Sequence, residues 1–193
     1  MKKCVVAMAQ LTLLTLLATL GAPPAWAGPP DDPPALRAAV DSAVWPGDIV
    51  RAADQYLRAC PDAADAAEVQ AVRQRAGDAW RLVNRNDVRL YRSAFTPNEA
   101  AGETLHDIRL AALGDRNAAV RLAHASRASD GAQGTQRYVG WLQLAASLGD
   151  ENASYELALH FRRTAQPILA ARYEARAMAL GYEPANGLDN VRK

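Results

Sequence analysis

The chain has few cysteines and few aromatic residues, and it has no excess of charge of either sign. Its 193 residues contain two cysteines and 6% aromatic residues, and 22 basic side chains face 21 acidic ones. This balance leaves no basic surplus that would attract nucleic acid. Only Cys60 follows residue 27, so no disulfide framework is expected in an exported chain, and stability must come from packing. Cys60 is interpreted as a structural thiol, with a disulfide between chains as the alternative.

Long apolar runs are confined to the N-terminus. Lys2 and Lys3 precede an apolar stretch at 11–20 and the small-residue sequence Ala-Trp-Ala at 25–27. This pattern is typical of a secretory signal peptide, so we expect residues 1–27 to be removed and the rest to be periplasmic or secreted. After residue 28 no run approaches the ~20 apolar residues that a membrane-spanning helix needs.

Catalytic and metal-binding motifs are also missing. The sequence has no Gly-x-Ser-x-Gly elbow, no phosphate loop and no His-Glu-x-x-His, and His106, His124 and His160 lack the spacing of a metal site. No cofactor or metal is therefore expected. Glu99 and Glu103 share one face of a predicted helix; they are interpreted as a helix cap and a solvated side chain, respectively.

Alanine is what the chain has in abundance, with 36 of the 166 residues that follow residue 27. This composition favours closely packed helices over strands. The Pro- and Asp-rich segment 28–34 is interpreted as a flexible leader. Asp48, Asp62 and the capping-box sequence Thr-Pro-Asn-Glu at 96–99 are predicted to start helices. Helices are predicted at 35–44, 48–59, 62–84, 97–113, 115–128, 135–148, 150–164 and 167–180, with a last one from about 183.

A repeat organises the second half of the chain. The sequence Leu-Gly-Asp-Arg-Asn-Ala at 113–118 returns as Leu-Gly-Asp-Glu-Asn-Ala at 148–153 and, weakly, at 180–185. A period of this length is typical of stacked helix pairs. Leucine would end one helix, glycine would take the left-handed position after it, and aspartate would cap the next helix. The sequence therefore predicts an all-α fold of stacked antiparallel helix pairs.

The residues around these corners form a second pattern. An aromatic residue and then two alanines precede Gly149 at helical spacing. A similar arrangement precedes Gly181. The positions are Trp141-Leu142 with Ala145-Ala146, Tyr173-Glu174 with Ala177-Met178, and, on the preceding helices, Ala118, Leu122, Ala123 and Ala153, Leu157, Ala158. This pattern resembles the Sel-one-like repeat, a relative of the tetratricopeptide repeat, over about residues 101–187.

The resemblance implies a right-handed α-solenoid at 101–193, preceded by an N-terminal helical region at 35–100 that is a degenerate repeat or a cap. It also implies a scaffold or adaptor role. Aromatic residues at helical spacing, such as Tyr138 and Trp141, are predicted to lie in the core together with Leu142, and Trp45 is predicted to pack under a loop.

In such repeats the first helix of each pair lines the concave face, so exposed residues beside the buried Ala-Leu ridge are candidates for partner contact. Arginine and tyrosine often dominate binding energy, and paired asparagines could hold a peptide backbone while arginines take its carboxylates. For the asparagines, which lie in first helical turns, helix capping is the alternative. The candidates are Asn117, His124, Arg127, Asn152, Tyr155, Arg162 and Arg163.

Together these patterns indicate an exported helical-repeat adaptor that binds another envelope or secreted protein, or a peptide of it, through its concave face. Two alternatives stay open at this point. One is a cell-wall-acting enzyme that uses an acidic residue. The other is an inhibitor or complex subunit that binds through its N-terminal region.

Overall fold

The computed structural model describes residues 32–98, 102–129 and 135–183, and this part of the chain is all helical. It forms eight α-helices, and a short 3₁₀ turn at Arg92–Phe95 precedes the fourth. The all-α prediction is therefore confirmed, whereas the predicted signal peptide and the helix predicted from about residue 183 lie outside the described residues. The helices are α1 (Pro33–Ser42), α2 (Pro46–Ala59), α3 (Ala66–Val83), α4 (Leu105–Ala112), α5 (Arg116–Ser129), α6 (Thr135–Ser147), α7 (Glu151–Arg163) and α8 (Pro167–Ala179).

Helices that follow one another along the chain pack side by side. The most extensive contacts join α2 to α3, α5 to α6 and α7 to α8, and α6 also packs on α7. The chain thus folds into consecutive pairs that stack on one another, as the repeat predicts. Within the described ranges no helix combines the length and the apolar character needed to cross a bilayer.

The predicted helix corners are confirmed in detail. Gly149 has φ +92°, its N–H donates to the carbonyl of Ala146 at 3.1 Å, and the N–H of Asp150 donates to that of Ala145, also at 3.1 Å. The carboxylate of Asp150 then accepts from the N–H of Ala153 at 2.7 Å. This is a Schellman ending followed directly by an N-cap. The corner at residues 113–118 has the same bonds.

Several predicted helix starts are wrong. The helix predicted from Pro97 begins at Leu105 instead, where the hydroxyl of Thr104 accepts from the N–H of Asp107 at 3.1 Å. The physical reason is a tertiary contact: the Arg137 side chain donates to the carbonyl of Thr96 at 2.7 Å and holds this segment outside any helix.

The starts of the first three helices also differ from prediction. Because proline suits the first helical turn, α1 begins at Pro33, inside the predicted leader, and α2 begins at Pro46 rather than at a cap by Asp48. Asp62 does not cap α3, which begins four residues later with Asp65 at the N-cap position.

One hydrophobic core connects the N-terminal helices to the repeats through a chain of aromatic rings. Trp45 meets Trp80 edge-on at 5.3 Å between centroids and Phe95 at 4.8 Å, and Phe95 lies 4.9 Å from Trp141. Trp141 is fully buried, as are Leu142 and its neighbours. The predictions that Tyr138, Trp141 and Leu142 lie in the core are confirmed. Trp45 is partly buried and packs against the core through Trp80 and Phe95.

Candidate functional site

A depression of about 480 Å³ lies on the face where α5 and α7 run beside each other, with one wall from α6. Three of the seven predicted partner-contact residues meet there, namely His124 and Arg127 from α5 and Arg163 from α7. The complete lining is His124, Arg127, Tyr138, Glu156, Leu159 and Arg163.

Glu156 organises the polar side of this depression. The hydroxyl of Tyr138 donates to one of its carboxylate oxygens at 2.9 Å, and Nε2 of His124 lies 3.0 and 3.2 Å from the two oxygens. Burial and the neighbouring Glu156 carboxylate raise the pKa of Tyr138 to about 12. The phenol therefore stays protonated and remains a hydrogen-bond donor at neutral pH.

Two arginines in the lining give the depression a net positive charge. The guanidinium carbon of Arg127 lies 5.6 Å from the centroid of the Tyr138 ring, a cation–π distance. Neither Arg127 nor Arg163 has a carboxylate or carbonyl partner among the described residues. Two positive charges against the one of Glu156 give a formal excess of +1 when His124 is neutral.

This lack of partners is unusual in the chain. Of the 18 arginines in the described ranges, 13 donate to a carboxylate or a carbonyl. The other five are Arg58, Arg75, Arg89, Arg127 and Arg163. Two of these five line the same depression, so its guanidinium groups are available to an outside acceptor.

The remaining predicted contact residues lie outside the depression. Arg162 donates to Glu174 of α8 at 2.7 Å, and Tyr155 stacks on Tyr182 with 4.2 Å between ring centroids. Asn117 and Asn152 are exposed in the first turns of α5 and α7. The capping bonds there are made by Asp115 and Asp150. The asparagines therefore do not provide the caps, which was the alternative for them.

Glu103 is not solvated, and its interpretation from sequence is wrong. Its side chain is fully buried and accepts from the hydroxyl of Ser126 at 2.8 Å, from Nε of Arg137 at 3.0 Å and from the N–H of Asn98 at 2.9 Å. A second nitrogen of Arg137 donates to its other oxygen. With both oxygens occupied, Glu103 acts as a clamp between the segment before α4 and helices α5 and α6. Glu99 lies outside the described residues.

The histidines and Cys60 have ordinary surroundings. No group of three His, Cys, Asp or Glu side chains in the described ranges could hold a metal ion. Burial, and secondarily Arg163, lowers the pKa of His160. Cys60 is half-buried at the end of α2, where it packs against the small cluster that contains Tyr56 and Val69.

A second cleft, of about 490 Å³, lies between the non-helical segment 86–91 and helices α6 to α8. The N–H of Arg89 donates to Oε1 of Gln143 at 2.7 Å, which fixes the segment on α6. Phe161 and Tyr173 stack in its wall with 5.5 Å between centroids. Sequence patterns did not indicate this cleft, because segment 86–91 is not helical and belongs to no repeat.

Comparisons with known proteins add no relative: no protein-family profile, curated protein or solved structure matches the chain.

Proposed function

We propose that this protein is an exported adaptor of the Sel-one-like type that binds another envelope or secreted protein through the face formed by α5 and α7. The observation that supports this most is that two guanidinium groups in one depression, those of Arg127 and Arg163, have no carboxylate or carbonyl partner among the described residues. α5 and α7 are the first helices of their pairs, which the family resemblance would place on the concave face.

The chemistry of the depression favours a carboxylate-bearing segment of the partner. Guanidinium groups bind carboxylates through paired, charge-assisted hydrogen bonds. Beside them, Leu159 is 37% exposed and the Tyr138 ring forms the wall. An acidic residue flanked by an apolar one would meet both kinds of surface.

The adaptor role also suits the way the face is held. The N-cap of Asp150 and the salt-bridged end of α7 fix the helix before any partner arrives. Because a preformed helix loses little conformational entropy on binding, more of the contact energy appears as affinity.

Affinity capture from envelope extract tests the proposal. The bait is the chain from residue 28, either wild type or with Arg127→Glu and Arg163→Glu. A matched control carries Arg58→Glu and Arg75→Glu, which change the net charge equally at arginines that also lack partners. We expect mass spectrometry to find a protein that is captured by the wild type and the control but lost from the depression variant. Equal capture by all three baits would contradict the proposal.

Peptidoglycan zymography with the same purified chain separates this function from that of a wall-cleaving enzyme. We expect no clearing, because the buried carboxylate of Glu103 already accepts from four donor groups. A clearing zone that disappears in Glu103→Gln, with the fold retained, would replace the adaptor by the enzyme.

A further inference from the structure

The outer side of α8 carries an apolar stripe. Ile168 is 83% exposed and Met178 is 63% exposed, and exposed Ala171 and Ala175 lie between them. Steps of three, four and three residues place all four side chains on one face of the helix. An apolar face of this kind on a soluble protein normally indicates a contact surface.

The equivalent face of α6 shows what such a surface does in this fold. α6 and α8 end in the same glycine corner, at Gly149 and Gly181. Positions ten, six and three residues before the glycine are buried in α6 and exposed in α8. In α6 they are Val139, Gln143 and Ala146, which are 7%, 5% and 1% exposed; in α8 they are Ala171, Ala175 and Met178.

The α6 face is buried because the next helix pair packs on it and because the backbone of Arg89 lies against Gln143. α6 packs on α7, and the Arg176 side chain of α8 donates to the carbonyl of Ala146 at 3.0 Å. Among the described residues, no helix follows α8 to cover its stripe in the same way. In the part of the chain that the structure describes, the stripe is thus a stacking surface that no helix covers.

We propose that a second copy of this chain covers the stripe, with the two α8 helices packed antiparallel about a two-fold axis. A two-fold interface must be complementary to itself. The stripe meets this condition because its apolar positions are symmetric about residue 173: one alanine and one larger side chain lie at matching distances on each side. Antiparallel pairing at this register places Ile168 opposite Met178 of the second copy and Ala171 opposite Ala175.

The sizes of these side chains suit crossing helices. Packed helices cross at an angle, so they lie closest at the crossing point and diverge toward their ends. Small Ala171 and Ala175 lie beside the crossing point and allow close approach. Larger Ile168 and Met178 lie farther out, where the gap between the helices is wider.

Charge also favours a second copy over a charged partner. Arg172 and Glu174 flank the stripe, and each is neutralised within its own chain, by Asp87 at 2.7 Å and by Arg162 at 2.7 Å. The stripe therefore presents neither excess charge to attract an ionic partner nor unpaired charges that would repel a like chain. This distinguishes it from the depression on α5 and α7.

A pair formed in this way would carry two copies of the α5–α7 depression, none of whose lining residues belongs to the stripe. A partner with two acidic segments could then engage both depressions and bind with avidity.

The mass of the chain from residue 28 in solution tests the proposal without any partner protein. Light scattering after size-exclusion chromatography, over a series of concentrations, should give the mass of two chains for the wild type. Ala175→Arg should shift the mass to one chain, because the arginine would lie at the crossing point. Ala71→Arg, at an exposed position of α3, should leave the mass of two chains. Unfolding curves confirm that both variants fold.

Cross-linking tests the antiparallel register. In a Cys60→Ala background, Ile168→Cys together with Met178→Cys should give pairs linked by a short bis-maleimide reagent, which can bridge the wider gap at these positions, whereas Ile168→Cys alone should not. A dimer that resists this cross-link would overturn the arrangement. A wild type of one-chain mass at every concentration would overturn the second copy itself. If such a chain paired only after removal of residues 184–193, that segment would be the occupant instead.

Discussion

The backbone of Arg89 lies against Gly140 of α6 at a distance that leaves no room for a side chain. A β-carbon on Gly140 would stand 2.7 Å from the carbonyl oxygen of Arg89 and 3.0 Å from the side chain of Leu90. The N–H of Arg89 is in turn held by Gln143, one helical turn farther along α6. Close backbone approach and one hydrogen bond thus hold segment 86–91 against α6.

Gly140→Ala should therefore destabilise the fold by about 1–3 kcal/mol, because the backbone of Arg89 in segment 86–91 must move. Gly77→Ala is the matched control, since the nearest atom to its new β-carbon would be 4.0 Å away in the middle of α3. That change should stabilise the protein by about 0.5–1 kcal/mol through helix propensity. Denaturant unfolding of both variants checks this; a destabilised Gly77→Ala or a neutral Gly140→Ala would contradict it.

The helix corners give a second pair of substitutions with opposite signs. Gly149→Val should be destabilising because its φ of +92° strains any β-branched residue, although the space around it is open. Ala165 occupies the same kind of corner with φ +55°. Ala165→Gly should relieve strain and gain about 1 kcal/mol or less. Thermal melting of both variants decides the matter: shifts of the same sign would exclude backbone strain as the cause.

Leu157 in α7 is fully buried in the ridge on which the repeats stack. Leu157→Ala should cost about 2–5 kcal/mol from lost burial and the cavity left behind. Leu105→Ala, at a position that is 58% exposed, should change the free energy of unfolding by no more than about 0.5 kcal/mol. If the two losses were equal, the assignment of the ridge would be wrong.

The Glu103 clamp should be far more important for stability than a surface ion pair. Glu103→Gln leaves the Arg137 guanidinium without its buried counter-charge, and we expect a loss of about 3 kcal/mol. Glu174→Gln breaks the exposed pair with Arg162 and should cost no more than about 1 kcal/mol. Urea unfolding at neutral pH measures both losses, and a larger loss for Glu174→Gln would refute the clamp.

The corners of the repeats could be predicted from sequence because their causes are local. The three residues Leu-Gly-Asp contain the helix end, the left-handed turn and the next cap, and the structure has all three at Gly114 and Gly149. The start of α4 could not be predicted in this way. Residues 96–99 have the sequence of a capping box, but a side chain 41 residues away in sequence from Thr96 holds its carbonyl.

The candidate site was predictable only in part for a related reason. Counting helical positions from the buried Ala-Leu ridge selected Arg163, a residue of the depression. The same count also selected Arg162, which lies about 100° around the helix from Arg163 and pairs with Glu174. Glu156 was missed because it meets His124 and Tyr138 across neighbouring repeats. One signal was present in the sequence: His124 and Glu156 are separated by 32 residues, close to the length of one repeat.

Titration calorimetry with the purified captured partner measures directly whether the two arginines of the depression hold it. Arg127→Glu with Arg163→Glu should weaken binding by about a hundredfold or more, since two charge-assisted contacts are lost. Arg58→Glu with Arg75→Glu should bind like the wild type. Unchanged affinity in the depression variant, or an equal loss in the control, would contradict recognition through α5 and α7.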